Sequence, residues 1–112
     1  MPSWSDMLYK ADISTASSGD NTIVTGVAGK RIAIDFLVVR SESATTTIQM
    51  KDGTTNYGGS HALDRHEAFV LENTMLNHDG VITLTAGNSF VLNNSAAVQV
   101  SGFVRYRMLD NS

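Results

Sequence analysis

Apolar and polar residues alternate with a period of two along most of the chain. In residues 31–40 the even positions from Ile32 to Val38 are apolar and share one predicted face. The same holds near the C-terminus for Val98, Val100, Val104, Tyr106 and Met108. Successive side chains of a strand point to opposite faces, so this alternation is typical of half-buried β-strands. No window combines capping residues with a period of 3.6, so the sequence predicts no helix.

The pattern predicts about eight short strands separated by turns rich in Gly, Asn and Asp. The segments are residues 7–14, 21–27, 31–41, 44–50, 67–72, 81–85, 89–92 and 97–108, with a further short strand at 54–57. Many short strands with such turns are typical of sandwiches and barrels. We therefore predict one all-β, jelly-roll-like sandwich of antiparallel strands over residues 7–112, preceded by an extended N-terminal arm, residues 1–6.

Composition excludes several classes of protein. The 112 residues suit one domain, which buries roughly two-thirds of its unfolded surface. The chain has no cysteine, so no disulfide or thiolate metal site can form. Net charge is −3 and the basic residues are scattered, so we expect neither nucleic acid nor membrane as a partner. Charged residues make up only 17% of the chain, and small polar residues replace them, as is common in proteins of large assemblies.

One segment carries several potential metal ligands, namely His61, Asp64, His66 and Glu67. Two imidazoles and two carboxylates could hold zinc if a loop folded them inward. Their spacing matches no established site, and on a strand His61 would not share the face of His66. We therefore interpret the segment as a solvated loop leading into the strand at Glu67, and we predict no metal.

No pattern in the chain indicates catalysis or a cofactor. No serine lies in a strained Gly-x-Ser-x-Gly turn, and His78-Asp79-Gly80 has the residues of a turn. The glycines of residues 26–29 and 58–59 lack the spacing of a phosphate-binding loop. Asp35 lies in the middle of a strand, where it could be a buried acid, but it more simply pairs with an arginine or faces water. We expect a protein that is not an enzyme.

Two features predict a protein partner. Leu37 and Val39 lie on the predicted outer face of their strand, and Phe103 lies on the face away from Val100 and Val104. A strand that is apolar on both faces is covered on both, here by a loop of the same chain or by another subunit. The predicted arm and the start of the next segment hold Trp4, Met7, Leu8 and Tyr9, which could add to their own sheet or lie across a neighbour.

Two segments resemble small all-β virion proteins of tailed bacteriophages. They are Asp20-Asn21-Thr22-Ile23-Val24-Thr25-Gly26-Val27-Ala28-Gly29-Lys30-Arg31-Ile32-Ala33-Ile34 and Gly87-x-x-Phe90-x-Leu92-Asn93-x-Ser95-Ala96-Ala97-Val98-Gln99-Val100-Ser101-Gly102-x-Val104-x-Tyr106. The size and the apolar arm are also similar to those of the staple proteins of epsilon15-type phages. Such chains are capsid decoration (cement or staple) proteins.

The resemblance implies a structural virion protein on the capsid exterior, made in the host cytoplasm. It would stabilise the shell by binding the major capsid protein across neighbouring subunits, and it would self-associate as a dimer or trimer without a cofactor. The residues implied at its protein interfaces are Trp4, Met7, Leu8, Tyr9, Leu37, Val39, Phe103, Arg105 and Arg107.

Two other function classes suit an all-β domain. A carbohydrate- or receptor-binding module of a phage tail or fibre would use exposed rings, for which Trp4, Tyr57 and Tyr106 are available. Aromatic residues total only 7% and do not cluster in the sequence, which disfavours this class. A cupin-like metalloprotein would need His61, His66 and a carboxylate to converge on a metal ion.

Overall fold

A computed structural model describes residues 8–73 and 80–110 of the chain. These residues form ten strands and no helix: β1 (Tyr9–Thr15), β2 (Gly19–Val24), β3 (Lys30–Ser41), β4 (Thr46–Asp52), β5 (Thr55–Asn56), β6 (His61–Leu63), β7 (Ala68–Glu72), β8 (Ile82–Thr83), β9 (Phe90–Asn94) and β10 (Val100–Asp110). The described residues therefore contain no helix that is long and apolar enough to cross a membrane. The all-β prediction is confirmed, and the predicted strands end within three residues of the observed ones.

The strands form two antiparallel sheets that face each other. Sheet A has the order β1-β10-β3-β7, with β8 also paired to β3. Sheet B has the order β2-β9-β4-β5, with β6 also paired to β4. The chain passes back and forth between the sheets, so strands that are neighbours in one sheet are distant in sequence. Setting aside the two-residue strands β5 and β8, this is the eight-strand arrangement of a jelly-roll sandwich, as predicted.

The core lies between the inner faces of the two sheets. Its fully buried side chains include Ile13, Ile32, Ile34, Leu37, Val39, Val100 and Val104 from sheet A and Ile48, Phe90 and Leu92 from sheet B. Burying an aliphatic or phenyl side chain of this size contributes about 1.5–3 kcal/mol relative to exposure. The alternation seen in the sequence therefore produces the sandwich by placing one apolar set from each sheet in a shared interior.

A β-bulge in β3 contradicts one part of the predicted pattern. The consecutive residues Arg105 and Tyr106 of β10 pair with Phe36 and Ile34, so Asp35 is an extra residue in β3. An extra residue moves every later side chain to the opposite face of the sheet. The alternation of β3 is therefore reversed after Asp35.

Leu37 and Val39 consequently face the core, and their predicted place on an outer face is wrong. Both side chains have an exposed fraction of 0%, so neither is available to a partner in this fold. Phe36 and Val38 take the outer face instead and are only partly buried. The cover of Leu37 and Val39 is the second sheet of the same chain.

The segment that we interpreted as a solvated loop contains the short strand β6. Its residues His61 and Leu63 pair with Ile48 and Thr46 of β4, and Leu63 is buried in the core. The imidazole ring of His61 stacks on the ring of Phe69 in sheet A, with 4.0 Å between ring centroids. This contact joins the edges of the two sheets, so the prediction of a loop is correct only from Asp64 onward.

Gly102 of β10 has no room for a side chain beside the backbone of β3. A Cβ atom at this position would lie 1.8 Å from the carbonyl oxygen of Val38, which belongs to the backbone and cannot rotate away. We expect Gly102→Ala to lower the free energy of unfolding by about 3 kcal/mol, because the two strands must separate. Gly59→Ala is the matched control, since no atom lies within 4 Å of its added methyl group. Urea unfolding measures both, and equal effects would contradict the close approach.

Asp52 connects the end of β4 to the loop between β8 and β9. Its carboxylate accepts hydrogen bonds from the Thr85 amide (3.1 Å), the Thr85 hydroxyl (2.7 Å) and the Asn88 side-chain amide (2.9 Å). Burial alone would raise the pKa of Asp52, but the hydrogen bonds from Thr85 and Asn88 outweigh burial and hold the pKa below its usual value. The ionised carboxylate therefore stabilises the folded state.

This lowered pKa makes the contribution of Asp52 depend on pH. The contribution is fully present above the unfolded pKa, near pH 4, and is lost as the pH falls through the lower folded pKa. We expect Asp52→Asn to cost about 1 kcal/mol at pH 7 and progressively less below about pH 4. Urea unfolding over a pH series measures this difference, with Asp64→Asn in an exposed turn as the control. A difference that stays constant down to the lowest pH would contradict the argument.

Candidate protein-interaction face

The reversed alternation of β3 creates an apolar cluster on the outer face of sheet A. Phe36 and Val38 of β3 lie on this face. Val38 is flanked on one side by Phe103 of β10 and on the other side by Val70 of β7. The rings of Phe36 and Phe103 stack with 5.4 Å between their centroids. Val70 is 50% exposed, the highest value for a large hydrophobic side chain among the described residues. We call Phe36, Val38, Val70 and Phe103 the outer patch.

Charged side chains surround the outer patch. Lys10 and Asp12 of β1 pair with Arg105 and Phe103 of β10 and form an ion pair of 3.2 Å. Arg40 lies at one end of the patch on β3, and Glu72 lies at the other end on β7. An apolar centre with a charged, solvated rim is the usual composition of a protein-binding surface. The outer patch lies on strands that are hydrogen-bonded to one another, so its backbone is rigid and loses little conformational entropy on binding.

The structure places some of the predicted interface residues on this surface or near it. Phe103 belongs to the outer patch, and Arg105 is exposed beside it. Leu8 and Tyr9 are 43% and 41% exposed, but Tyr9 lies in the row of Ala11 and Ile13 and stacks on Tyr106, which packs against the core, so its ring is on the face of sheet A opposite to the outer patch. Their role in binding a partner stays a prediction. Trp4 and Met7 lie outside the described residues.

Arg107 is buried and does not lie on an exposed interface, contrary to its predicted role. Its Nε and Nη2 atoms donate to the two carboxylate oxygens of Asp35 at 2.8 and 3.1 Å, and its exposed fraction is 7%. Asn73 also donates to this carboxylate, at 2.9 Å. The expectation that Asp35 pairs with an arginine is confirmed. Because its guanidinium is buried in this ion pair, Arg107 is not available to a partner protein.

Sequence reasoning missed three of the four outer-patch residues. Val70 lies in the run Ala68-Phe69-Val70-Leu71, which is apolar at every position and so signals a strand covered on both faces. The sequence pattern places Phe36 and Val38 on the same face as Ile32 and Ile34, because it assumes that the alternation continues without interruption past Asp35. A charged residue in the middle of a strand was the available signal of the bulge.

The potential metal ligands of residues 61–67 point to different partners. His61 stacks on Phe69, and Nδ1 of His66 lies 3.0 Å from Nη2 of Arg40. The Asp64 amide donates to the Glu67 carboxylate in a turn. Within residues 8–73 and 80–110, no group of three or more His, Cys, Asp or Glu is placed to hold a metal ion.

The outer face of sheet B is polar, and its side chains bond one another. The Asp20 carboxylate accepts hydrogen bonds from the Asn93 side-chain amide at 2.8 Å and from the Lys51 ammonium at 2.9 Å. Both bonds lower the pKa of Asp20, and the bond from Asn93 has the larger effect. Gln49 donates to three backbone carbonyls nearby. Tyr57 follows β5 at this sheet, whereas Tyr106 lies in sheet A against Tyr9. The two rings therefore do not form a common sugar-binding platform.

Comparisons with known proteins give a fold neighbour and no family. No family model matches the chain, and no curated protein matches it. A solved structure described as "Bacillus endospore appendages form a novel family of disulfide-linked pili" is similar in fold, with a TM-score of 0.55 over 98% of this chain and 92% of the other. The sequence identity is 15%, so the similarity shows a shared fold and does not by itself indicate an activity.

The buried ion pair gives a stability prediction. Replacing Arg107 by methionine keeps much of its apolar volume but leaves the Asp35 carboxylate without its main partner. We expect a loss of about 2–3 kcal/mol, below the value for a fully buried pair because the Asp35 side chain is 21% exposed.

The matched control for Arg107→Met is Lys10→Met. The Lys10–Asp12 pair is solvated, with side chains 55% and 75% exposed, and should contribute little. Thermal and urea unfolding measure both variants. Equal losses would show that Arg107 stabilises the fold through packing alone, without a contribution from the ion pair.

Proposed function

We propose that this chain is a structural subunit that works by binding neighbouring proteins in a multi-copy assembly. The observation that carries the proposal is the outer patch, which presents apolar side chains within a charged rim on a rigid sheet. The β-sandwich supplies the platform, and the partner supplies the cover that the patch lacks among the described residues. This role requires no catalytic group.

The assembly that we propose is a bacteriophage capsid. The support is the resemblance of residues 20–34 and 87–106 to decoration proteins. These residues include most of β2, the start of β3, all of β9 and the first half of β10. On this proposal the chain binds the major capsid protein on the shell exterior, as a dimer or trimer, with Phe103 and Arg105 among the contacts. Trp4, Met7, Leu8 and Tyr9 are proposed as a second contact.

Binding in many copies explains how a small domain could stabilise a large shell. A few half-buried apolar side chains give a weak single contact. When one oligomer holds several shell subunits at once, the later contacts form at high effective concentration, and the overall affinity rises by orders of magnitude. The sandwich would then act as a clamp between neighbours.

The fold neighbour is consistent with an assembly role in the wider sense, since it is described as forming pili. That protein is described as disulfide-linked, whereas this chain has no cysteine. Any assembly of this chain must therefore form without disulfide bonds. The stability of such an assembly then depends on contacts made by surfaces such as the outer patch.

Co-sedimentation with purified phage particles tests the proposal. We expect the wild-type chain to sediment with the particles in a copy number comparable to that of the major capsid protein. Phe103→Ser should weaken this binding about tenfold or more, because a central aromatic contact is lost. Tyr57→Ser is the control, since Tyr57 is an exposed ring on the other sheet.

The alternative outcomes of this experiment are distinct. No binding by the wild-type chain would contradict the capsid role. A few copies per particle would assign the chain to the tail or a fibre. Binding that depends on Tyr57 and is unchanged by Phe103→Ser would move the contact to sheet B and contradict the role of the outer patch.

A further inference from the structure

Strand β7 forms one edge of sheet A and pairs with β3 along only one side. Its register with β3 runs from Phe36↔Glu72 to Arg40↔Ala68, and no strand of the described residues pairs with its other side. The Asn73 amide donates to the Asp35 carbonyl, and the Ser41 amide donates to the Glu67 carbonyl. The odd-numbered residues of this segment therefore direct their backbone groups toward β3.

The even-numbered residues of β7 direct their backbone groups away from the sheet. In an antiparallel pair, alternate residues bond toward the partner, so the N–H and C=O groups of Ala68, Val70 and Glu72 point outward. Outward groups on an edge strand are a ready template for pairing with another strand. The β7 edge thus presents three consecutive donor and acceptor sets in one plane.

The β7 edge has few of the features that usually prevent such pairing, since Glu72 at its end is the one charged residue of the strand. Exposed edges are commonly protected by lysine, proline, a bulge or an inward-pointing charge. The opposite edge strand of sheet A, β1, has Lys10 and Asp12, both well exposed. β7 reads Ala68-Phe69-Val70-Leu71-Glu72, with Phe69 and Leu71 packed against the core and Val70 half exposed. Within sheet A this is the less protected edge.

We propose that two copies of this chain pair through β7, antiparallel, with Val70 on the two-fold axis. Val70 then lies opposite Val70 of the second copy, and Ala68 lies opposite Glu72 of the second copy. Every outward residue of β7 forms a pair that exchanges two hydrogen bonds, so no outward group within the strand is left unpaired. The contact is isologous, as expected for a homodimer.

Other symmetric registers pair fewer residues of β7 with one another. With Phe69 on the axis, Glu72 would lie opposite His66, which has a left-handed φ of 68° and is part of a turn. Residues in a turn cannot continue a ladder of hydrogen bonds. The Val70 register is therefore the symmetric arrangement that uses the whole strand.

Charge complementarity supports a second copy as the occupant. Arg40 pairs with Ala68 and lies on the same outer face. Its guanidinium already lies 3.2 Å from the Glu42 carboxylate and 3.0 Å from Nδ1 of His66, but its side chain is 48% exposed and can also meet a second carboxylate. In the proposed register Glu72 of the second copy flanks Ala68 on the other side. The methyl group of Ala68 leaves room above it for the guanidinium and carboxylate to meet. The two-fold axis repeats this ion pair at both ends of the contact.

The pairing would join the two outer patches into one surface. Val70 of each copy would lie at the centre, with Val38 and Phe103 of each copy continuing outward along the same row. This inference deepens the proposed function and in that respect rests on it, since it names the surface by which copies associate. The self-pairing itself needs no capsid protein, so it is tested with the full-length chain alone.

Sedimentation equilibrium of the full-length chain measures the association. We expect a dimer whose dissociation constant rises roughly tenfold or more in Val70→Lys, because two lysines would meet on the axis. Val27→Lys is the matched control, since Val27 is 47% exposed and lies outside the strands. Arg40→Glu and Glu72→Arg should each weaken the dimer, and the double variant should restore it.

Hydrogen exchange supplies a residue-level readout on the wild-type chain. The amides of Ala68, Val70 and Glu72 should gain protection as the protein concentration rises through the dissociation constant. The amides of Phe69 and Leu71, which already bond to β3, should be protected at every concentration. This alternation separates strand pairing from a contact made by side chains alone.

Three results would overturn the proposal. The first is a chain that stays monomeric at the highest attainable concentration. The second is a dimer that is unchanged by Val70→Lys. The third is a wild-type dimer in which the β7 amides still exchange fast and which no longer forms when residues 1–7 are deleted. That result would assign the contact to the N-terminal segment. Shell binding by a chain shown to be monomeric would keep the capsid-binding role, while contradicting both the β7 pairing and the proposed dimer or trimer. A dimer without shell binding would keep the β7 pairing and contradict the capsid-binding role.

Discussion

The extra residue in β3 determines which side chains the sandwich buries. β3 is a central strand of sheet A, and the bulge at Asp35 lies between its two halves. Without the extra residue, Phe36 and Val38 would enter the core and Leu37 and Val39 would leave it. Both pairs are apolar, so hydrophobicity alone scarcely distinguishes the two registers. Shape and hydrogen bonding must therefore select the one that is formed.

The ion pair of Asp35 and Arg107 supplies that selection. The bulge turns the Asp35 side chain to where two atoms of the Arg107 guanidinium and the Asn73 amide can reach it. The alternative register would bury these groups without partners or expose them with the loss of three hydrogen bonds. Such losses amount to several kcal/mol, which exceeds the small difference between two similar apolar faces. The Asp35–Arg107 ion pair therefore determines which apolar side chains of β3 face the core.

The strands and the sandwich were predictable from the sequence because the period of two recurs in many independent segments. The bulge was not predictable from the alternation, since Phe36-Leu37-Val38-Val39 is apolar in either register, although Asp35 in mid-strand was a signal. Strand β6 was missed because three residues next to polar turns carry too little pattern. Phe103 and Arg105 were found because β10 keeps a regular alternation. Val70 was missed because its face depends on pairing with β3, a contact distant in sequence.

The same bulge limits how strongly the β7 edge can bind. β7 pairs with β3 only after the bulge, from Phe36 to Arg40, whereas β8 pairs with the segment before it, at Ala33 and Ile34. Among residues 8–73 and 80–110, the bond from the Asn73 amide to the Asp35 carbonyl is the last of the β7 ladder. The edge that the described residues expose is therefore the five residues of β7. A ladder of that length, with two ion pairs at its ends, favours a reversible dimer over an indefinitely growing sheet. Reversible pairing suits a subunit whose final affinity comes from many simultaneous contacts in an assembly.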